Sequence, residues 1–295
     1  MFRRLVLVAT LLISAQLSPA LAQDKLNVVA TFSILADLVK NVGGDRVEVK
    51  SLVGPNGDAH VYQPTPNDAK IVSDAKLVFV NGLGFEGWMA RLVKASGTKA
   101  AMVTATKGVK PRKMDEGGHT EADPHAWQSV PNAKVYVANI YDALVAADPA
   151  GKATYAANTA AYLAKLDALD GQVRAAVAAI PAERRKIITT HDAFGYFGAA
   201  YGVAFIAPQG VSTESEVSAR DVAKIITQIR KQKIPAVFLE NVTDERLLKR
   251  IADESGARVG GTLYSDALTD GQGPAPTYID MMQHNVKQLA EALTS

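Results

Sequence analysis

"PAGKATYAANTAAYLAKLDALDGQVRAAVAAI", residues 149–180, decides the fold. No proline follows the first position, and Pro149 itself suits the first turn of a helix, with Asp148 before it as a cap. Tyr162, Leu166, Leu169, Val173, Ala176 and Ile180 recur at alternating steps of four and three, one apolar stripe at helical period. At 1.5 Å per residue such a helix runs about 48 Å before Pro181 stops it. That is long for a globular helix, and it suits a stiff strut between two lobes.

Outward from this helix, both flanks read as alternating strand and helix, which implies a mainly parallel sheet on each side. On the N-terminal side "LNVVATF", "RVEVKSLV", "KLVFVNG" and "KAAMVTA" read as strands, and "SILADLVKNV", "NDAKIVSDA" and "FEGWMARLVKAS" as helices. "NAKVYVANIYDALVAAD" is a further helix. On the C-terminal side the strands are "RRKIITT", "VAFIAP", "PAVFLEN" and "ARVGGTL". "SARDVAKIITQIRKQK" with Ser218 as cap, "DERLLKRIADESG" closed by Gly256 and a final "TYIDMMQHNVKQLAEALT" read as helices. The expected plan is two similar-sized α/β lobes, 23–147 and 182–295, joined by one long rigid helix at 148–181. No sequence repeat relates the halves. The polar, glycine-rich run from Thr106 to Asp123 breaks the pattern and reads as a mobile loop.

Residues 1–22 stand apart. A basic "MFRR", an apolar "LVLVATLLISAQL" and a small-residue ending at Ala20 and Ala22 make a secretory signal peptide, cleaved before Gln23. Of 32 basic residues, Arg3 and Arg4 leave with it, and 30 basic balance 30 acidic ones. A neutral chain offers nucleic acid no attraction. The chain has no cysteine. Its core must therefore hold it without disulfides, thiolate metal sites are excluded, and no cysteine is present to carry a lipid. A free periplasmic protein is expected.

Five histidines remain, and their placement carries the function. His60 follows "VEVKSLV" in a Gly-Pro-Asn-Asp stretch that is neither helix nor strand. His191 directly follows "KIITT", and His125 leaves the polar loop in "ADPHAW". Asp266 follows "RVGGTL" in "LYSDAL". Ligands of open α/β sheets gather beyond the carboxyl ends of the strands. His60 and His125 from one lobe, with His191 and Asp266 from the other, would converge on an interlobe cleft as three imidazoles and one carboxylate. Such a set suits Zn²⁺ and related ions, and four protein donors make a closed, non-hydrolytic site. Gly54, Pro55, Asn56 and Gly57 shape the turn that delivers His60, and Pro64 and Pro66 stiffen its exit.

Other residues carry blander readings. His284 is expected to pack on the last helix, His119 to sit solvated in the loop, Asp192 to cap the next helix, and Trp88 and Trp127 to pack. Glu214 and Glu216 read as solvated rim acids. Glu240, at the end of "VFLE", points toward the cleft as a partner of a ligand, a rival ligand, a helix cap or a salt-bridge partner.

The segments "GDAHVYQPTP", "DPHAW", "THDAFGYF" and "LYSDAL", in this order around a long helix, resemble the periplasmic metal-binding proteins of ABC importers for zinc and manganese, the TroA-like and ZnuA-like cluster. The resemblance covers the whole mature chain. It implies two α/β lobes on a rigid helix, with metal held by His60, His125, His191 and Asp266. It also implies an inner-membrane ABC permease with its cytosolic ATPase as partner and leaves room for a periplasmic metallochaperone; a monomer is expected, with small lobe motion because a continuous helix resists hinge bending. Members similar to manganese binders often carry Glu where this chain has His191, which favours zinc as cargo over manganese. Many zinc members have a long His-rich loop, whereas the loop here offers His119 alone. A zinc hydrolase with Glu240 as base is the rival from another class, but the chain has no HExxH motif. A chelate binder of similar architecture would favour aromatic and arginine contacts over four converging donors. Surface adhesion, credited to some members, has no supporting feature here.

Overall fold

The computed structural model describes residues 24–116, 119–214 and 217–294, so the signal segment lies outside it. The chain opens with β1 (Leu26–Phe32) and α1 (Ser33–Gly43), then β2 (Val47–Val53), α2 (Pro66–Ser73), β3 (Leu77–Val80), α3 (Met89–Ser96) and β4 (Ala101–Thr104). These four strands form one parallel sheet in the order β2-β1-β3-β4, with Val28 opposite Val49 on one side and Leu77 on the other. The last five residues of β1 are all buried, as a strand covered on both faces requires. α2 begins where Pro66 sits in its first turn and Thr65 and Asp68 exchange a capping box.

The segment expected to be a mobile loop holds a hairpin. β5 (Lys113–Glu116) and β6 (His119–Ala122) pair antiparallel, Lys113 opposite Ala122 and Met114 opposite Glu121. An isolated two-stranded ribbon shows no apolar run, which is why its composition reads as loop. Its base is pinned where Asp123 N–H donates to Arg112 O (3.0 Å) and Arg112 N–H donates to the Tyr196 hydroxyl (2.9 Å).

α4 (Val130–Ala147) leads to the long helix, which is shorter than its sequence suggests. Pro149–Gly151 form a tight 3₁₀ turn, and α5 spans Lys152–Ala178, about 40 Å. Asp148 does not cap it. Its carboxylate instead takes the Arg46 guanidinium (2.7 Å) and the Tyr155 hydroxyl (2.7 Å), tying the start of the helix to the turn after α1. The buried stripe runs Tyr155, Tyr162, Leu166, Leu169, Val173, Val177 and Ile180, with Val177 taking the place expected of Ala176.

The second half contains β7 (Lys186–Ile188), α6 (Gly195–Tyr201), β8 (Ala204–Ile206), α7 (Ala219–Gln232), β9 (Ala236–Glu240), α8 (Glu245–Ser255), β10 (Arg258–Leu263) and α9 (Tyr278–Thr294). Ser218 caps α7 as expected, and Gly256 closes α8. Its sheet runs β10-β9-β7-β8, with β10 parallel to β9, β9 to β7 and β7 to β8. Read from the other edge, this is the strand order of the first sheet, so the two lobes share a topology that their sequences do not reveal.

One apolar core runs through both lobes. It joins Val28, Leu35 and Phe79 of the first to Leu166 and Val173 of α5 and to Phe238, Leu263 and Met281 of the second. A smaller cluster, with Ile188, Val237, Ile225 and Ile251, lies between the second sheet and α7 and α8. Among the described residues no helix is long and apolar enough to cross a membrane.

Where α1 meets α9, the Asp37 carboxylate accepts the Tyr278 backbone N–H (2.9 Å). Burial pushes this carboxyl up to about 6, against its hydrogen bonds and Lys40. An acid raised in this way favours the folded state while protonated. That stability is fully present below the unfolded value near 3.8 and is lost as pH rises toward about 6. Between pH 5 and 7.5 the parent should lose about 1 kcal/mol relative to Asp37→Asn, measured by denaturant unfolding of both proteins at each pH.

Candidate metal centre

The four singled-out residues come together. His60 follows β2 and His125 follows the hairpin, while His191 follows β7 and Asp266 follows β10. Their ligand-type atoms all lie within 4.8 Å of one another. His60 Nε2 lies 3.2 Å from His125 Nε2 and 3.4 Å from Asp266 Oδ2. His191 Nε2 lies 3.0 Å from Asp266 Oδ2, and His125 Nε2 lies 3.6 Å from Asp266 Oδ1. A tetrahedron of donors about 2.0–2.1 Å from a central ion has edges of about 3.3 Å, so these separations suit a zinc-sized cation.

Each donor is aimed by the backbone around it. The turn before His60 is closed by Gly57 N–H donating to Gly54 O (3.1 Å), and Asn56 adopts a left-handed conformation (φ 55°). Asn56 N–H donates across the cleft to Leu268 O (2.8 Å), and Asp58 accepts the His60 N–H (2.9 Å) and the Thr213 hydroxyl (2.6 Å). Trp88 Nε1–H donates to Ala59 O (2.7 Å). Beyond Asp266, Leu268 N–H donates to the Ser33 hydroxyl (3.0 Å). On the other side, the Ser265 carbonyl accepts from Trp127 Nε1–H (2.8 Å) and from the Gln128 amide (2.6 Å). The first lobe therefore places the carboxylate supplied by the second.

Two carboxylates set the imidazoles. Asp123 Oδ1 faces His125 Nδ1 (2.9 Å) and also accepts the His125 backbone N–H (3.0 Å), which leaves Nε2 bare toward the cleft. Glu240 Oε1 accepts the N–H groups of Thr190 (2.7 Å) and His191 (2.9 Å). Its Oε2 lies 2.6 Å from His191 Nδ1, off the line of a good hydrogen bond and hence a charge contact. Glu240 thus braces the His191 segment and ring, stands outside the converging four-residue group, and caps no helix, since Asp244 caps α8. With both oxygens engaged it offers no free general base.

Burial works to lower His191, but the Glu240 and Asp266 carboxylates prevail and hold it well above the ordinary imidazole value. Burial would raise Asp266, and the His191 and His125 rings outweigh it and hold it well below the carboxylate range. His60 is lowered, by burial first. Both Asp266 oxygens and His191 Nε2 are buried without a hydrogen-bond partner among the described residues, the state expected of atoms shaped for an ion. His125, His191 and Asp266 are fully enclosed, while the His60 side chain keeps 5% exposure. Leu83, Phe85, Glu121, Pro124 and Glu214 line a depression of about 410 Å³ outside His60, so solvent reaches the site from that side.

Other residues fall elsewhere. His284 sits with Nε2 3.0 Å from Thr262 O and its ring on Tyr264, a packing role. His119 lies in β6, opposite Glu116. Asp192 caps nothing, because α6 begins at Gly195 without a side-chain cap. Trp88 and Trp127 pack, and their indole N–H groups also hold segments carrying His60 and Asp266. Glu214 is exposed at the rim, and Glu216 lies outside the described residues. Asp123 was missed in the sequence because it reads as the end of a loop; its position two residues before His125 was the available signal.

Residues 28–292 match the family model described as "ZnuA: Zinc-uptake complex component A periplasmic". The chain belongs to this family. Among curated relatives it is 37% identical to the iron-binding protein YfeA of Yersinia pestis, over 94% of this chain and 89% of that one. It is 36% identical to the manganese-binding lipoprotein MntA of Halalkalibacterium halodurans, over 92% and 89%. The solved periplasmic zinc binding protein TroA of Treponema pallidum superposes with a TM-score of 0.87 at 33% identity, over 92% of this chain and 99% of that one. Members are metal-binding substrate proteins of ABC importers and not enzymes, which removes the hydrolase reading.

Because Asp123 and Glu240 orient ligand-type imidazoles, Asp123→Asn and Glu240→Gln should each weaken divalent-metal binding about 10–100-fold, read by calorimetric titration.

Proposed function

We propose that His60, His125, His191 and Asp266 hold one divalent transition-metal ion, and that the protein captures Zn²⁺ in the periplasm and hands it to an inner-membrane ABC permease driven by a cytosolic ATPase. The observation that carries this is the convergence of four donors from both lobes, with three of their atoms buried and unpartnered. Three imidazoles suit zinc by donor softness and by the general stability order of first-row ions. The secretory pattern over residues 1–22 supports a periplasmic protein. The division into 23–147, 148–181 and 182–295 gives each lobe two ligands.

One feature favours a second reading, manganese or iron. Asp266 turns Oδ2 to His60 and His191 and Oδ1 to His125, so both oxygens can reach one ion. A fifth, oxygen donor suits a harder ion, and relatives named for manganese and iron share 36–37% identity with this chain.

Chelator-competition titration of metal-free mature protein with Zn²⁺ and Mn²⁺ decides between them. One tight zinc equivalent with manganese far weaker is expected. Equal affinities would move the assignment to manganese. His60→Ala should bind zinc at least about 100-fold more weakly, and parent-like affinity in that variant would refute the ligand set. The shared core and the continuous α5 also limit lobe motion. X-ray scattering of metal-free and zinc-bound protein should give nearly superimposable profiles, and a compaction of several ångströms would contradict this.

A further inference from the structure

Between β3 and α3 the chain passes through Gly82, Leu83 and Gly84, three consecutive residues at positive φ (87°, 57° and 84°). A side chain at Gly82 would meet Thr104 Cγ2 at 2.6 Å. Leu83, with a Cβ, is strained in this conformation. Such strain persists only where surrounding contacts over-determine it.

Those contacts converge on Glu86. Its Oε1 accepts the Thr31 hydroxyl (2.6 Å) and the Asn81 N–H (2.6 Å), and its Oε2 accepts the Gly82 N–H (3.1 Å). The residue is partly exposed, but its carboxylate is enclosed and pushed up by burial against these donors. No group of the metal centre uses it.

The loop it holds reaches two ligands. Asn81 donates from Nδ2 to Pro124 O (2.9 Å), the carbonyl immediately before His125, and accepts the Tyr136 hydroxyl at Oδ1 (2.5 Å). Phe85, delivered by the left-handed run, sets its ring at 4.7 Å from His60 and 6.1 Å from His125, and packs on Phe32 and Trp127. We infer that Glu86 is a positioning residue for both first-lobe ligands, fixing His125 through Asn81 and Pro124 and fixing the His60 ring through Phe85. This rests on the ligand set proposed above.

Glu86→Gln keeps the size but turns an amide N–H₂ toward backbone or hydroxyl donors. Full-length mature protein loaded with Co²⁺ provides the test, because the visible ligand-field bands follow donor number and geometry. Expected for Glu86→Gln are about 10–100-fold weaker Co²⁺ and Zn²⁺ binding and a shifted Co²⁺ spectrum at saturation. Leu38→Ala, in the core of the same lobe, should lower Tm yet leave the spectrum unchanged. Thr31→Val, which removes one donor to Glu86, should shift the spectrum in the same sense but less, and it serves if Glu86→Gln does not fold. Parent-like spectra and affinities in Glu86→Gln and Thr31→Val, or a lowered Tm with an unchanged spectrum, would overturn the inference while leaving the ligand set intact. A parent that binds no stoichiometric Co²⁺ would overturn the ligand set, and the inference with it.

Discussion

A fully buried carboxylate facing three imidazole rings is the constraint on which the structure turns. Asp266 has no hydrogen-bond donor on either oxygen among the described residues, and an enclosed charge left unanswered costs several kcal/mol. The imidazoles answer part of it, since His191 is held toward its charged form. That form cannot also coordinate an ion through Nε2. Under the ligand set proposed above, an ion bound at these atoms would take the place of the protons on them.

This exchange needs donors that stay in place. Two lobes that moved freely would lose the register of a four-atom set spread across both. Here the Ser265 carbonyl is held by Trp127 and Gln128, Asn56 reaches Leu268, and the Tyr278 hydroxyl donates to Trp127 O (2.7 Å). The core is continuous beneath them. α5 is thus less a strut between separate bodies than the spine of one packed unit, with α1, α4 and α9 all packed against it. His60, the one of the four converging residues with some side-chain exposure, sits on a turn and not on a strand.

Much of this was legible in the residues. The stripe from Tyr162 to Ile180, the alternation on both flanks and the four strand-exit residues each follow from local period and local chemistry. Other features depend on partners distant in sequence. Asp148 reads as a cap until Arg46 arrives from about a hundred positions earlier. The strands Lys113–Glu116 and His119–Ala122 contain no apolar run, and the hairpin's base is anchored by Tyr196. Glu240 and Asp123 could not be given their roles from spacing alone, because the rings that they orient are specified by the fold. Glu86 carried no signal at all, since its three donors come from β1 and from the strained loop itself.

Donor identity alone does not select the cargo. Three imidazoles lean toward zinc, yet relatives of similar identity are named for iron and manganese. What separates such ions is how many oxygens the carboxylate commits and how little the cage relaxes to meet a larger or smaller radius. Both are set outside the four converging residues. The orientation of Asp266 depends on the first-lobe groups that grip Ser265, and the angle of each ring depends on Asp123, Glu240 and the loop braced by Glu86. Selectivity in this chain should therefore reside in the stiffness of that outer layer, where a ring held to its place penalises the ion whose preferred geometry would require it to move.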